Sequence, residues 1–342
     1  MPGVDEFYRL SVEARTARYE RFAVEALKRW GVHDGAPHPL KIRENAVFKV
    51  SGPGGRPAVL RIHRHGYHTD DALRSELQWL CALRADGIEV PGVIPTPGGA
   101  LFETVAADGV PEPRQVDLLE WLEGEPLGTL EDGLSPRVTD LPGSFREVGR
   151  TIARLHNHAS AWPRPQGFVR HAWDLDGLVG EAPLWGRFWE LGALTPAQRR
   201  LILAARERAR RDLIAYGTSP VHYGLIHSDI NLDNFLEHRG RIKVIDFDDT
   251  AFGWHLFDLA TITIFFRAPE HRDTIRRPIV EGYRELRPLP DDELAWLLLF
   301  QLARGFTYLG WVHTRHETET ARRITQEIVT LACSLAEEYL GG

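Results

Sequence analysis

At 342 residues the chain exceeds the usual size of one compact core, so two lobes are expected. A net charge of −7 argues against a nucleic-acid partner, and 43% hydrophobic with 26% charged residues is the balance of an ordinary globular chain. Two cysteines exclude a disulfide framework, no apolar run reaches the roughly 18–20 residues of a membrane span, and the charged N-terminus has no signal-peptide core, so a cytoplasmic protein with no membrane partner is expected.

In chain order, residues 5–31 are predicted to form one helix stopped by Gly31, with Phe22, Ala26, Leu27 and Trp30 on one face. The stretches LKIRENAVFKV and RPAVLRIHR, and a later strand over 116–122, have strand-like length and apolar clustering. Between the first two, SGPGGRP completes neither G-x-G-x-x-G nor G-x-x-x-x-G-K-[ST] and reads as a plain turn. The turn at 43–46 is the better phosphate cradle. TDDALRSELQWLCALRADG is a helix with Thr69 as N-cap, acids in its first turn and Gly87 past its end. Glu76 shares its apolar face with Leu73, Leu77 and Leu80, so it needs a cation or donor partner. His63, His65 and His68 read as a surface strand end, without the ligand set a metal would require.

Beyond the strand at 116–122, helical periodicity takes over at 143–162, 195–217, 291–315 and 319–340. The basic run at 199–211 is read as a solvated helix face. The fold class is α+β: a small β-rich lobe over 1–122 and a larger, mostly helical lobe over 123–342.

The chemistry concentrates in LIHSDINLDNFLEHRGRIKVIDFDDT, residues 225–250. FLEHRGRIKVIDF reads as a hairpin turning at Arg239 and Gly240, which returns Asp246 to the loop carrying His227, Asp229 and Asn234. A hard cation such as Mg2+ takes carboxylate and amide oxygens, which Asp246 and Asn234 supply. Asp229 remains as the carboxylate that can take the proton of an attacking hydroxyl. That is the division of labour in kinase-type phosphoryl transfer.

H-x-D-x-x-x-x-N at His227, Asp229 and Asn234, then Asp246 at the D-F-G position, together with VIDFDDTAFGWHLFDLA, resembles the aminoglycoside phosphotransferase superfamily. That group includes antibiotic, choline and homoserine kinases. The resemblance spans roughly residues 40–310. It implies a bilobal protein-kinase-like fold that binds ATP and Mg2+ in the cleft between its lobes and phosphorylates a small-molecule hydroxyl acceptor. It places Arg61 at the lysine of V-A-I-K, with Glu76 as its partner, Val59 against the adenine and Asn45 near the phosphates. Glu120, Trp121 and Leu122 become the hinge, Asp248 an added metal ligand, and His227 and Asp258 the support of the catalytic loop. Arg304, Tyr308 and Trp311, spaced four and three apart on one helix, would wall the acceptor pocket.

Two departures from the pattern matter. Arg61 replaces lysine, and the two are not interchangeable: either Arg61 does the lysine's job in a slightly wider site, or the protein is a non-catalytic nucleotide-binding regulator, and the intact Asp229, Asn234 and Asp246 favour activity. The distance from Asp246 to FDLA is too short for a eukaryotic activation loop, which favours a small acceptor over the alternative of a bacterial stress-response protein Ser/Thr kinase.

Overall fold

The computed structural model describes residues 4–34, 36–43, 45–129 and 132–341. The chain forms two compact units, Met1–Glu123 with Arg164–Val169, and Gly124–Pro163 with Arg170–Gly342.

The first unit opens with α1 (Val4–Tyr8) and α2 (Val12–Leu27) rather than one helix. The break has a local cause: the Ser11 hydroxyl accepts the Ala14 N–H at 3.2 Å, an N-cap that starts a new helix. Gly31, with φ of 71°, closes a 3-10 turn at Lys28–Trp30. Then come β1 (His38–Ile42), β2 (Ala46–Ser51), β3 (Pro57–Ile62), α3 (Asp70–Ala85), β4 (Phe102–Val105) and β5 (Arg114–Glu120). The strands pair antiparallel in the order β1-β2-β3-β5-β4. SGPGGRP is the β2–β3 turn, with Gly54 and Gly55 in left-handed backbone. The turn at 43–46 includes Glu44, which lies outside the described residues. The strand predicted over 116–122 runs two residues earlier.

Phe48, Val50, Ala58, Leu60, Ile62, Val116 and Leu118 turn one sheet face into a core with Phe22, Ala26 and Trp30. Strand alternation therefore puts Val59 and Arg61 on the opposite face, across from Leu119 and Asp117 of β5. α3 starts where expected, its Ala72 N–H donating to Thr69 Oγ1 at 3.2 Å.

The second unit runs β6 (Glu125–Pro126), β7 (Gly128–Thr129), β8 (Gly133–Leu134), α4 (Leu141–Ala161), β9 (Ala172–Trp173), α5 (Leu175–Val179), α6 (Pro196–Tyr216), β10 (Tyr223–Ile226), β11 (Phe235–His238), β12 (Arg241–Val244), β13 (Ala251–Trp254), α7 (His255–Thr263), α8 (Arg277–Leu286), α9 (Asp291–Leu294), α10 (Leu297–Thr314) and α11 (Glu319–Gly341). The helix predicted over 291–315 is divided by a tight turn in which Trp296 N–H bonds the Glu293 carbonyl at 3.1 Å. α7 is buried along its whole length, and α10 nearly so, which fits their apolar sequences. Two small sheets complete the unit: β10-β13-β9, whose β10 and β13 pack on α7, and β12-β11-β6, whose β12 packs on α4. The β11–β12 hairpin turns on Arg239 and Gly240, both at positive φ, as a two-residue hairpin of matching twist requires. Among the described residues no helix is long and apolar enough to cross a membrane.

Candidate active site

The loop between β10 and β11 is held from below by a buried acid. Asp258, on α7 and fully buried, accepts the His227 N–H at 3.1 Å through Oδ2 and the Ser228 N–H at 2.8 Å through Oδ1. His156 of α4 donates to the same Oδ2 at 3.0 Å. An ionised carboxylate only accepts, so the proton sits on His156 Nε2 and Nδ1 receives the Tyr283 hydroxyl at 2.9 Å. Burial pushes Asp258 up to about 6 against the pull of His227 and the two backbone donors. Burial also keeps His156 neutral, well below the usual imidazole range. His227 Nε2 donates to the Ile245 carbonyl at 3.0 Å, and its Nδ1 accepts the Asp229 N–H at 3.3 Å. One imidazole thus ties the loop to the strand that returns from the hairpin.

Asp229 projects from this loop. Its Oδ1 accepts Arg304 Nη2 at 2.6 Å and Asn231 Nδ2 at 2.5 Å, and its Oδ2 accepts Asn234 Nδ2 at 3.2 Å. Asn234 also donates to the Asp229 carbonyl at 2.8 Å. The Asn234 amine is therefore committed to Asp229, and its amide oxygen faces away. Beyond β12 the chain turns at Asp246, whose φ of 65° is a left-handed conformation rare for a residue with a side chain. Ser228 shares that conformation, with φ of 73°. Such strain persists where the surroundings over-determine it, commonly at functional loops. The segment after Asp246 is fixed by Arg170, whose Nε donates to the Thr250 carbonyl at 2.6 Å and whose Nη2 donates to the Asp248 carbonyl. Phe247 lies 4.6 Å from the His227 ring.

Of the three residues expected to wall an acceptor pocket, Arg304 and Tyr308 stand against the loop between β10 and β11. Arg304 is 1% exposed, with its guanidinium over Tyr308 at 4.4 Å, Trp185 at 5.4 Å and Phe257 at 5.6 Å. Tyr308 donates to Asn231 Oδ1 at 3.1 Å. Trp311, one turn on, lies under Arg315 at 5.3 Å.

In the first unit, Arg61 Nη2 meets Glu76 Oε1 at 2.8 Å, which supplies the partner that an acid on an apolar face requires. The sequence reading missed the other partner. Asp117 of β5 takes Arg61 in a fork, Nε to Oδ1 at 2.9 Å and Nη2 to Oδ2 at 2.8 Å. His63 lies 2.7 Å from the same Oδ2 and is 2% exposed, so its assignment to a surface strand end is wrong: the acid across the sheet gives the ring a buried partner. Burial pushes Asp117 up, but the charges of Arg61 and His63 and their hydrogen bonds overcome it and hold the carboxyl below its usual range.

In the segment expected to be the hinge, Glu120 N–H donates to the Gly92 carbonyl at 2.8 Å and Trp121 N–H to the Pro57 carbonyl at 3.3 Å, so both N–H groups are engaged within the first unit. Val59 is half-buried on the Arg61 face, and Lys49 sits 3.8 Å over the Trp121 ring. Asn45 Oδ1 accepts the Arg64 N–H at 3.0 Å and so ties the β1–β2 turn to the chain leaving β3. The signal for Asp117 was present as an acid between the apolar residues of VDLL, the same kind of signal that marked Glu76.

A family model described as the phosphotransferase enzyme family matches residues 39–293, and the chain belongs to that family. It is a kinase-type transferase with a small antiparallel-sheet lobe and a larger helical one. Among solved structures, a microcompartment-associated aminopropanol kinase is 33% identical, with TM-score 0.81 over 94% of this chain and 97% of that one. The amicoumacin kinase of Bacillus subtilis (strain 168) is 23% identical over 323 residues, 91% of this chain and 89% of that protein. An amicoumacin kinase solved in complex with AMP-PNP and Ca2+ shares the fold at 19% identity, with TM-score 0.71 and 96% of each chain covered.

Proposed function

We propose that the protein transfers the γ-phosphate of ATP to the hydroxyl of a small amino alcohol, with Asp229 as the base and Mg2+ as the divalent cation. The observation that carries this reading is the Asp229 carboxylate, which keeps 23% of its side-chain surface exposed while its ion-pair partner Arg304 is buried. A base has to be both fixed and reachable. The amino-alcohol class is supported by the aminopropanol kinase that this chain resembles over nearly all its length. Nucleotide and divalent cation are supported by the AMP-PNP and Ca2+ held by the amicoumacin kinase.

The residues present fit a hard cation. With its amine committed to Asp229, Asn234 offers an amide oxygen, and Asp246 adds a carboxylate oxygen. When bound, Mg2+ supplies neutralisation of the phosphate charge. Asp248, fixed through its carbonyl by Arg170, is a further oxygen donor near Asp246 in sequence. In the first unit, Arg61 between Glu76 and Asp117 is the cation assigned to the phosphates, with Val59 and Leu122 N–H assigned to the adenine. Asp229 orients the acceptor hydroxyl and takes its proton. Catalysis of such a loose transfer is mostly positioning and charge stabilisation.

The test is ADP release with Mg-ATP across amino alcohols, sugars, aminoglycosides and a generic protein, with Asp229→Ala as the blank. The expected result is turnover of an amino alcohol that disappears in Asp229→Ala, while that variant still binds nucleotide by titration. Near-normal turnover in Asp229→Ala would remove the base. Phosphorylation of the protein alone would replace the acceptor class. ATP binding without ADP release from any acceptor would favour the regulator, and no ATP binding at all would end the kinase reading.

A further inference from the structure

A carboxylate oxygen has two lone-pair positions for hydrogen bonds. In Asp229 the two oxygens are not equivalent. Oδ1 already carries two short, charge-assisted or amide donors, Arg304 Nη2 at 2.6 Å and Asn231 Nδ2 at 2.5 Å. Oδ2 carries one long contact, Asn234 Nδ2 at 3.2 Å, and retains a lone pair.

The donors on Oδ1 are themselves fixed. Asn231 has its amide oxygen on the Tyr308 hydroxyl at 3.1 Å, which orients its amine towards Asp229. Burial raises the Tyr308 hydroxyl, so it stays protonated and remains a donor. Arg304 donates through its other Nη to the Ser228 carbonyl at 3.3 Å and lies among the rings of Tyr308, Trp185 and Phe257. Burial works against its charge, but Tyr308 and Asp229 more than restore it.

We propose that Arg304, Asn231 and Tyr308 are positioning residues that saturate Oδ1 of Asp229, and that Oδ2 is the oxygen that accepts the proton of the phosphate acceptor. The inference rests on Asp229 acting as the base. In the step, the acceptor O–H bond breaks and its proton goes to Oδ2. The acceptor oxygen forms a bond to the γ-phosphorus, and the bond from that phosphorus to the bridging oxygen breaks, its electron pair leaving on ADP. Arg304 and Tyr308 then act on the base and do not touch the acceptor, so losing them lowers kcat and leaves the acceptor KM in place. Tyr308 acts through Asn231, so the two effects are not independent.

The experiment is a double-mutant cycle on the full chain with Tyr308→Phe, Asn231→Ala and the pair, joined by Arg304→Lys, Arg304→Met and Asp229→Asn. The phosphate acceptor is the amino alcohol with the highest turnover, or water where none is turned over, since hydrolysis also passes a proton to Asp229. Melting curves confirm that each variant is folded, and Tyr308→Phe and Arg304→Lys are the mild changes that keep the test open if another variant is not. Tyr308→Phe is expected to lower kcat by roughly 3- to 10-fold, the scale of one hydrogen bond, with KM for ATP and the acceptor unchanged. Arg304→Lys is expected to retain more of kcat than Arg304→Met. In the Asn231→Ala background, Tyr308→Phe is expected to have a smaller effect than in the parent, since only its contact with the Arg304 guanidinium remains. Multiplying effects of Tyr308 and Asn231, or a rise in acceptor KM at constant kcat, would overturn the positioning role. Turnover surviving in Asp229→Asn would instead overturn the assignment of the base, which separates the two failures.

Discussion

Arg61 is held more tightly than a single Lys–Glu pair would be. Both arms of its fork reach carboxylates that are wholly buried, and a lysine, with one compact ammonium, cannot reproduce the two-point contact to Asp117 while also reaching Glu76. Removing one partner of a buried ion pair typically costs about 3–5 kcal/mol, because the remaining charge is stranded. Asp117→Ala is therefore expected to destabilise the protein by that order, read from denaturant unfolding. A loss within about 0.5 kcal/mol, the scale of a surface substitution, would show that Asp117 is not a structural partner. At this scale the sequence was readable where an acid shared an apolar helix face, as Glu76 does, or sat in a spaced motif, as Asp229 does. It was not readable where burial came from across the sheet. His63 and Asp117 meet only because β3 and β5 pair in the register that sets Arg61 opposite Asp117, and nothing local encodes that register.

Among the elements, α4 and α8 approach unusually closely. A Cβ built on Gly149 would lie 2.0 Å from the Ile279 carbonyl oxygen, and one on Gly282 would lie 1.9 Å from the Arg146 carbonyl oxygen. Both obstacles are backbone and cannot turn aside. The packing matters beyond stability, since α4 carries His156, which reaches Asp258 beneath the β10–β11 loop, and α8 carries Tyr283, which bonds the far side of the His156 ring. Gly149→Ala should force the helices apart. The expected outcome is a loss of about 1–3 kcal/mol from overpacking, with a fall in turnover that Ala substitution at an exposed α6 position such as Arg200 does not produce. Equal melting temperatures for Gly149→Ala and the parent would refute the close approach. The elements themselves were legible from periodicity and caps: α4 was expected over 143–162 and occupies Leu141–Ala161, and the hairpin turn at Arg239 and Gly240 stands where its residues indicate. The breaks at Ser11 and before α10 were not. Each is a competition between continuing a helix and closing a local hydrogen bond, which apolar periodicity alone does not resolve.

For the molecule as a whole, the acid under the β10–β11 loop imposes a pH dependence. Native Asp258 keeps its proton up to about 6, whereas an ordinary aspartate releases it near 3.8. Between those values the native state binds more protons than the unfolded one, so stability from this group is full below about pH 4 and is lost as pH rises through about 6. The unfolding free energy of the parent relative to Asp258→Asn should accordingly decline across that window, by an amount on the order of 2–3 kcal/mol. A difference that rises or stays level from pH 4 to 7 would contradict it. Burial here works against the charge that the loop's N–H groups call for, and the three donors on Asp258 are what make the ionised form tolerable at neutral pH.

Ser228 and Asp246 hold left-handed backbone at either end of the β10–β11 loop and its returning hairpin. An L-residue in that region costs roughly 1–2 kcal/mol, and glycine escapes the penalty. A population of variants selected for heat tolerance alone would therefore drift towards glycine at both positions. At 228 the drift would be tolerable, because the backbone N–H that Asp258 holds is kept. At 246 it would delete the carboxylate assigned to the cation. Sequencing the survivors of such a selection would reveal a class of robust but inert proteins, and the residue they share would mark where durability and chemistry pull the chain in opposite directions.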